Sequence, residues 1–235
     1  MEDRAIVLEG VATTYEGERT ATLRGIALEV DRGEHVAIVG PNGAGKTTLL
    51  EVIDGLLPVT EGTVQVLGEA MGLRSHRLRR RIGYLPQDLA FPSDTPFLAA
   101  DVVLMGRFGQ IGPLRFPGEE DRAAAVEAID SVGIRGIVRR PIGRLSGGQQ
   151  RKVLLAHLLA RGPELLLLDE PTANLDPAAK EEIARLVLQL HRDRRLTTLV
   201  VSHEPSPLLE ADRVLCMEGG RIARDERPGG AQGGR

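Results

Sequence analysis

The stretch GPNGAGKTT, residues 40–48, has the residue types and spacing of a phosphate-binding loop. It fits the pattern G-x-x-x-x-G-K-[ST], in which successive backbone N–H groups converge on phosphate oxygens and the following helix adds the positive end of its dipole. The pattern predicts that Lys46 reaches the β- and γ-phosphates and that the Thr47 hydroxyl ligates Mg²⁺. The predicted nucleotide-binding residues are Gly40, Pro41, Asn42, Gly43, Ala44, Gly45, Lys46, Thr47 and Thr48.

The lysine of this loop is unusual for the chain. Of 30 basic residues only three are lysines, Lys46, Lys152 and Lys180, and arginine occupies every other basic position. Arginine presents a broad planar fork, whereas lysine is a compact point charge on a thin stem. A narrow loop around a triphosphate has room for lysine and not for arginine, so Lys46 fits a phosphate site.

Two acids close the apolar run ELLLLDE, residues 164–170. Asp169 lies at the predicted end of a buried strand, where it would hold Mg²⁺ through a water molecule. Glu170 follows it and would polarise the attacking water as general base. Ligands of α/β sheets bind at the carboxyl ends of the strands, so these acids and the glycine loop are expected at one edge.

The elements around these residues predict an α/β fold. The short apolar runs HVAIVG, ELLLLDE and LTTLVVSH alternate with helical stretches, which indicates a mainly parallel sheet covered by helices on both faces. KTTLLEVIDG reads as a helix closed by Gly55, and Asp176 with Pro177 reads as the start of another. Residues 5–17 and 21–34 alternate apolar with polar residues, as half-exposed antiparallel strands do.

Residues 88–160 differ from the rest because they contain helical stretches without an intervening strand, which predicts an inserted α-helical subdomain. We expect residues 1–227 to form a single domain. The glycine-rich end, residues 228–235, is expected to be disordered.

Composition limits the possible partners. The net charge is −3, which argues against a general nucleic-acid binder, so no nucleic-acid partner is expected. No run approaches the roughly 18 apolar residues of a membrane-spanning helix.

At LSGGQQRKV, residues 145–153, the sequence resembles the nucleotide-binding subunit of an ABC transporter, over about residues 4–224. The resemblance implies a P-loop NTPase core with an N-terminal antiparallel β subdomain and the inserted helical subdomain, with ATP and Mg²⁺ as ligands. It also implies that Tyr15 stacks on adenine and that Gln87 links the γ-phosphate and Mg²⁺ region to the helical subdomain. It further implies that Asp176 belongs to the D-loop and that His203 is the switch histidine, whose ring would donate to the γ-phosphate.

The signature stretch begins a helix with Ser146 as a good N-cap, and a helix N-terminus attracts anions. The glycine loop already forms one anion site, so a second site far off in sequence suggests contact with the nucleotide of another protomer. The resemblance implies a head-to-tail homodimer, in which the ATP of the partner is contacted by Ser146, Gly147, Gly148, Gln149 and Asp176.

All four phenylalanines, Phe91, Phe97, Phe108 and Phe116, fall between residues 91 and 116. One or two would pack in the helical core, and exposed aromatics favour a partner surface. In the family this region receives the membrane permease, so residues 87–116 are the expected contact and the cytoplasmic face of the membrane the expected location. The basic run RSHRLRRR, residues 74–81, reads as a solvated helix face near the membrane.

The segment DVVLMGRFGQIGPL resembles ATPases of the zinc and manganese importer group, which also implies an indirect partner, a substrate-binding protein. The same segment is also similar to that of iron-chelate importers. A soluble ABC-type ATPase acting in assembly or regulation stays open as the alternative. A P-loop kinase or GTPase is disfavoured, because it leaves LSGGQ without a role.

Overall fold

The computed structural model describes residues 3–228, except residues 16, 18–20, 73, 90, 113 and 203–209. Within these residues the chain forms two β-sheets and seven α-helices. Among the same residues, no helix combines the length and apolar character needed to cross a membrane.

The first sheet is antiparallel and forms the N-terminal part of the protein. Its order is β2-β1-β4-β5, with bounds β1 (Arg4–Thr13), β2 (Leu23–Asp31), β4 (Glu61–Val66) and β5 (Glu69–Ala70). In β2, Leu23, Ile26, Leu28 and Val30 are buried and most of the intervening residues are exposed. The predicted half-exposed strands are therefore confirmed.

The second sheet has six strands in the order β10-β9-β3-β8-β7-β6, and all neighbours are parallel except β9 and β10. The bounds are β3 (His35–Val39), β6 (Ile82–Leu85), β7 (Leu165–Asp169), β8 (Thr197–Val201), β9 (Arg213–Glu218) and β10 (Arg221–Glu226). The predicted parallel sheet is confirmed.

Strand β7 explains why its sequence is almost wholly apolar. Leu166 and Leu168 point into one hydrophobic core, whereas Leu165 and Leu167 point into another on the opposite face of the sheet. Side chains alternate along a strand, so a strand covered on both faces needs apolar residues at every position.

The helices are α1 (Lys46–Asp54), α2 (His76–Arg79), α3 (Ala99–Met105), α4 (Phe108–Ile111), α5 (Glu119–Ser131), α6 (Gly147–Ala160) and α7 (Pro177–Arg194). Helix α1 packs between the two sheets through Leu49, Leu50, Val52 and Ile53. It ends where Gly55 adopts a left-handed conformation, with φ of 71°, and donates to the carbonyls of Glu51 and Val52. Its predicted bounds are confirmed.

Between residues 88 and 160 the described chain contains helices and one isolated bridge between Leu98 and Pro141, without a strand. Helices α3, α5 and α6 share one hydrophobic core with β7 and α7. The domain limit at residue 227 stays a prediction. The glycine-rich end lies outside the described residues, apart from Pro228.

The basic run of residues 74–81 is only partly the solvated helix face that its sequence indicates. The helix is short, and Arg81 forms ion pairs with Glu164 at 2.5 Å and with Glu69 at 2.8 Å. Arg79 is half-buried close to Asp54, a buried acid whose pKa is raised to about 7 chiefly by burial. The expectation is therefore wrong for these two arginines, which face acids of other segments.

Candidate functional site

The glycine loop connects β3 to α1 at the carboxyl edge of the second sheet. Gly40 has φ of 150°, and a Cβ there would lie 2.2 Å from the carbonyl oxygen of Met217. Gly45 is the N-cap of α1, with φ of 96°, and no side chain caps the helix. The loop thus needs glycine for conformation and for close packing.

Lys46 lies inside this loop. Its side chain is buried, and its ammonium donates to the carbonyl oxygens of Gly40 at 3.0 Å and of Pro41 at 2.8 Å. Burial lowers the pKa of Lys46, and the nearby acids Glu170 and Asp169 oppose that change. The charge is held by two backbone oxygens and two carboxylates, in a space that suits a narrow side chain.

Asp169 ends β7 and pairs in register with Val201 of β8. It is fully buried, and neither carboxylate oxygen has a hydrogen-bond partner of normal geometry among the described residues. Burial is the main cause that raises the pKa of Asp169, and the nearby Thr47 hydroxyl partly opposes the rise. A buried carboxylate that lacks a hydrogen bond of normal geometry is suited to a cation.

Glu170 takes an unusual backbone conformation directly after the strand. Its φ is 46°, and its N–H donates to the carbonyl of Val201 at 3.1 Å. The Nε2 of Gln87 donates to the Glu170 carboxylate at 3.3 Å. Residues held in the left-handed region without being glycine are common at functional sites. The chain thus turns sharply here and brings the Glu170 carboxylate beside Gln87.

A cavity of about 390 Å³ joins these elements. It is lined by Tyr15, Thr22, Asn42, Gly43, Gly45, Lys46, Thr47, Thr48, Gln87 and Glu170. The glycine loop, the aromatic residue and two of the predicted catalytic residues are therefore brought together. His203 lies outside the described residues. Ser202, which precedes it, donates its N–H to the carbonyl of Ile38 at 3.1 Å, at the same edge of the sheet.

The signature residues form a separate feature. Ser146 caps α6, accepting from the Gln149 N–H at 3.4 Å, while the Gln149 side chain accepts from the Ser146 N–H at 3.2 Å. The predicted N-cap is confirmed, as is that of α7, where the Asp176 carboxylate accepts from the Ala179 N–H at 2.9 Å.

These two helix starts are close to each other. A Cβ added to Gly147 would lie 3.0 Å from a methyl of Leu175, and one added to Gly148 would lie 3.1 Å from the Cβ of Ala179. The described residues that line the 390 Å³ cavity include neither group. Within one protomer the signature residues and Asp176 are therefore neighbours of each other, and neither lines the cavity at the glycine loop.

Sequence reasoning missed several residues around the site. Thr22, just before β2, lines the cavity, and the sequence carried no signal for it. Glu51 bonds to Tyr15 and lies three residues after Thr48 on α1, so helical periodicity could have found it. Lys180 lines a second cavity of about 320 Å³ together with Gln87, Glu170 and Ser202.

Comparison with known proteins agrees with this geometry. The family model described as ABC transporter matches residues 23–173. The zinc transport system ATP-binding protein TroB of Treponema pallidum is 42% identical over 82% of this chain and 71% of its own length. The manganese transport system ATP-binding protein MntB of Bacillus subtilis is 38% identical over 85% of this chain and 77% of its own.

Other relatives carry other cargo names. A phosphonates import ATP-binding protein PhnC of Anaeromyxobacter dehalogenans is 41% identical over 94% of this chain and 45% of its own length. Among solved structures, a dimeric bacterial ABC transporter cassette superimposes with a TM-score of 0.80 at 30% identity, covering 94% of this chain and 98% of that one. The family model covers more than half of the chain and the fold matches that of a solved cassette, so this protein belongs to the ABC transporter ATPases and is an ATP-binding, ATP-hydrolysing subunit.

Proposed function

We propose that this protein hydrolyses ATP in a head-to-tail homodimer on the cytoplasmic face of a membrane, and thereby powers import of a divalent metal ion through a permease. The observation that carries the proposal is a buried Lys46 close to Glu170 and to a buried Asp169, whose carboxylate oxygens have no hydrogen bond of normal geometry among the described residues.

The phosphate chemistry begins with Lys46. Its ammonium now bonds to the carbonyls of Gly40 and Pro41, and it would exchange these neutral acceptors for the β- and γ-phosphate oxygens of ATP. Backbone N–H groups of the loop and the uncapped end of α1 would bind the remaining phosphate oxygens. Tyr15, at one side of the cavity, would stack on adenine.

Magnesium fits the residues at this edge. Asp169, the Thr47 hydroxyl and the Gln87 amide oxygen would hold it. The burial of Asp169, whose oxygens lack a hydrogen bond of normal geometry among the described residues, supports this role. When bound, Mg²⁺ neutralises charge on the phosphate oxygens.

Water activation is assigned to Glu170. A carboxylate that reaches the γ-phosphate can accept a proton from the attacking water, and Gln87 orients that carboxylate through the bond at 3.3 Å. His203, by its place after Ser202 in the sequence, would donate to the γ-phosphate and stabilise charge in the transition state.

The dimer follows from the separation of two anion-binding helix ends. Residues Ser146 to Gln149, with Asp176 nearby, do not line the cavity of their own protomer. A second protomer turned head to tail would bring its α6 N-terminus to the γ-phosphate. Each site would then contain the glycine loop of one chain and the signature of the other.

The membrane partner is assigned to the exposed apolar surface of residues 108–117. Phe116 is 93% exposed and Leu114 is fully exposed, whereas Phe91 packs against the helical core. A groove of about 570 Å³ is lined by Phe108, Ile111, Leu114 and Phe116, and it is flanked by Arg80 and Arg115. An apolar groove with basic flanks suits a short amphipathic helix carrying acidic groups.

The cargo is assigned by similarity alone. Proteins named for zinc and manganese transport match over more than four fifths of this chain. ATP hydrolysis occurs far from any cargo, so the choice of ion belongs to the permease and to a capture protein.

The test is a tagged purification from detergent-solubilised membranes of the native host, followed by identification of stoichiometric partners. We expect a polytopic permease, and uptake of Zn²⁺ or Mn²⁺ that depends on the ATPase. The Leu114→Ala/Phe116→Ala double variant should lose the permease and keep ATP binding. Val126→Ala is the control, because Val126 is also an exposed apolar residue but lies on α5.

A soluble partner, or none, would leave the ATPase assignment intact and would move the function to assembly or regulation. A permease without metal-dependent uptake would instead favour another cargo, such as an iron chelate.

A further inference from the structure

The hydroxyl of Tyr15 is fixed by two residues of α1. It donates to the Glu51 carboxylate at 2.5 Å and lies 3.2 Å from the Thr48 hydroxyl, which can therefore donate to the Tyr15 oxygen. Hydrogen bonds to a charged acceptor are short and about twice as strong as neutral ones. Tyr15 itself follows the end of β1 at Thr13 and is not part of a strand or helix, so these bonds join a loop residue to a helix.

The helix that holds Tyr15 also begins at the phosphate-binding lysine. Thr48 and Glu51 are three residues apart and therefore share one face of α1. The opposite face is anchored in the core through Leu49, Leu50 and Ile53, which are fully buried. The aromatic ring and the phosphate-binding groups thus belong to one rigid unit, and their separation is set before a nucleotide arrives.

We propose that Glu51 is a positioning residue for nucleotide recognition, which holds the ring of Tyr15 at the cavity as the platform for the base. This inference rests on the proposed role of Tyr15 in stacking on adenine. Without Glu51 the ring could still stack on the base. Binding of ATP would then have to immobilise the ring, and this entropic cost would weaken the affinity for ATP. Bond making at the phosphate end would be unaffected.

The measurement is steady-state ATP hydrolysis by the full chain, with inorganic tripolyphosphate as a competitive inhibitor that has no base. We expect Glu51→Ala to raise KM for ATP by about 5- to 10-fold, with kcat changed less than about twofold. The inhibition constant of tripolyphosphate should stay unchanged. Glu120→Ala, an exposed glutamate on α5, is the control and should change neither constant.

Tyr15→Phe keeps the ring and removes the hydroxyl, so it should match Glu51→Ala. The double variant Tyr15→Phe/Glu51→Ala should be no weaker than either single variant, because both remove the same bond. Glu51→Gln retains an acceptor oxygen and should recover part of the affinity.

Two results would overturn the inference in different ways. If Tyr15→Ala weakens ATP binding but Tyr15→Phe and Glu51→Ala do not, the ring is used without being held, and only the positioning role fails. If tripolyphosphate binding weakens as much as ATP binding in Glu51→Ala, Glu51 acts on the phosphate end instead. No effect of Tyr15→Ala would refute the proposed stacking itself.

Discussion

The helices that carry the phosphate-binding and signature sequences begin in opposite ways. Helix α1 has Gly45 as its N-cap without a side-chain cap, and its first residue is a buried lysine whose ammonium donates to the backbone carbonyls of Gly40 and Pro41. Helix α6 starts at Ser146 with a reciprocal cap, in which Ser146 and Gln149 satisfy each other's N–H groups.

The difference indicates what each end requires. The N–H groups at an uncapped helix end need an acceptor, which a bound anion supplies, and a cationic side chain beside them needs one as well. Here the ammonium of Lys46 bonds to the carbonyls of Gly40 and Pro41. The capped end of α6 already satisfies the N–H groups of Ser146 and Gln149, so it depends less on a bound anion. We therefore expect ATP to bind α1 of the isolated protomer first and α6 of a partner second.

The largest predicted effect is at the uncapped end. Lys46→Ala removes the charge that pairs with the phosphates, so turnover should fall by about 100- to 1,000-fold. Lys46→Arg should fail as well, because the buried space suits a thin side chain. Phosphate release at saturating Mg-ATP measures both. Lys152→Ala is the matched lysine control, and turnover near the wild-type rate in Lys46→Ala would refute the assigned role.

The capped end should behave differently. Ser146→Arg places a long side chain at the predicted dimer face, so hydrolysis should fall by at least about 100-fold. Binding of ATP to the monomer should remain within about twofold of wild type, since Ser146 is outside the cavity. Phosphate release measures the loss of hydrolysis, and calorimetry measures the binding of ATP. Normal turnover would count against a head-to-tail arrangement.

Mixing the two inactive variants sharpens the comparison further. A head-to-tail heterodimer of Lys46→Ala with Ser146→Arg has one site in which both defects meet and one site with an intact loop and an intact signature. At equal amounts about half of the dimers are mixed, so activity should return to about a quarter of wild type. Separate assays of each variant supply the baseline. Absence of recovery would mean that the loop and the signature serve the same protomer.

Much of this contrast could be read from the sequence. The loop, the capped starts of α6 and α7 and the buried strands β3, β7 and β8 were predicted because each depends on local chemistry or on a short apolar run. The strands β4, β5, β6 and β10 were missed. Strand β6 has only four residues, and strand β4 shows its alternation in one half only. Long-range pairing, which the sequence does not display, makes these segments strands.

The same limit applies to the site. Asp169 and Glu170 were predicted from their place after an apolar run, but the missing partners of Asp169 depend on everything packed around it. Arg79 and Arg81 look like solvent-facing residues in an arginine run, and only the fold brings Asp54, Glu69 and Glu164 to them. Thr22 reaches the cavity for a similar reason.

The buried carboxylate of Asp169, which lies near Lys46 and Thr47 at the uncapped end of α1, should also be costly to the fold. Asp169→Asn removes a buried charge that has no hydrogen bond of normal geometry, so the free energy of unfolding of the nucleotide-free protein should rise by about 1–2 kcal/mol and its Tm by roughly 3–6 °C. Because the folded-state pKa of Asp169 is raised, the wild-type penalty grows as the pH rises. The Tm difference should therefore be smallest near about pH 4 and larger at neutral pH.

Thermal unfolding across pH, without nucleotide, tests this cost. Asp176→Asn is the control, because it changes a capping carboxylate at the surface instead of a buried one. An unchanged or lower Tm for Asp169→Asn at neutral pH would mean that neighbouring groups already balance the charge. Hydrolysis by Asp169→Asn should be lost whatever the stability.

The smallest predicted effect concerns Gln149, and it separates capping of α6 from contact with the ATP of a partner. Gln149→Ala removes the bond to the Ser146 N–H, so it should lower stability by about 0.5–1 kcal/mol and Tm by roughly 1–4 °C. Gln149→Glu keeps an acceptor oxygen and adds a negative charge that the helix N-terminus favours, so Tm should stay or rise. That same charge would repel the γ-phosphate of a partner's ATP, so ATP-driven dimerisation of Gln149→Glu should weaken more than that of Gln149→Ala. Light scattering with the hydrolysis-deficient Glu170→Gln background measures the dimer, and equal dimerisation by both variants would confine Gln149 to capping its own helix.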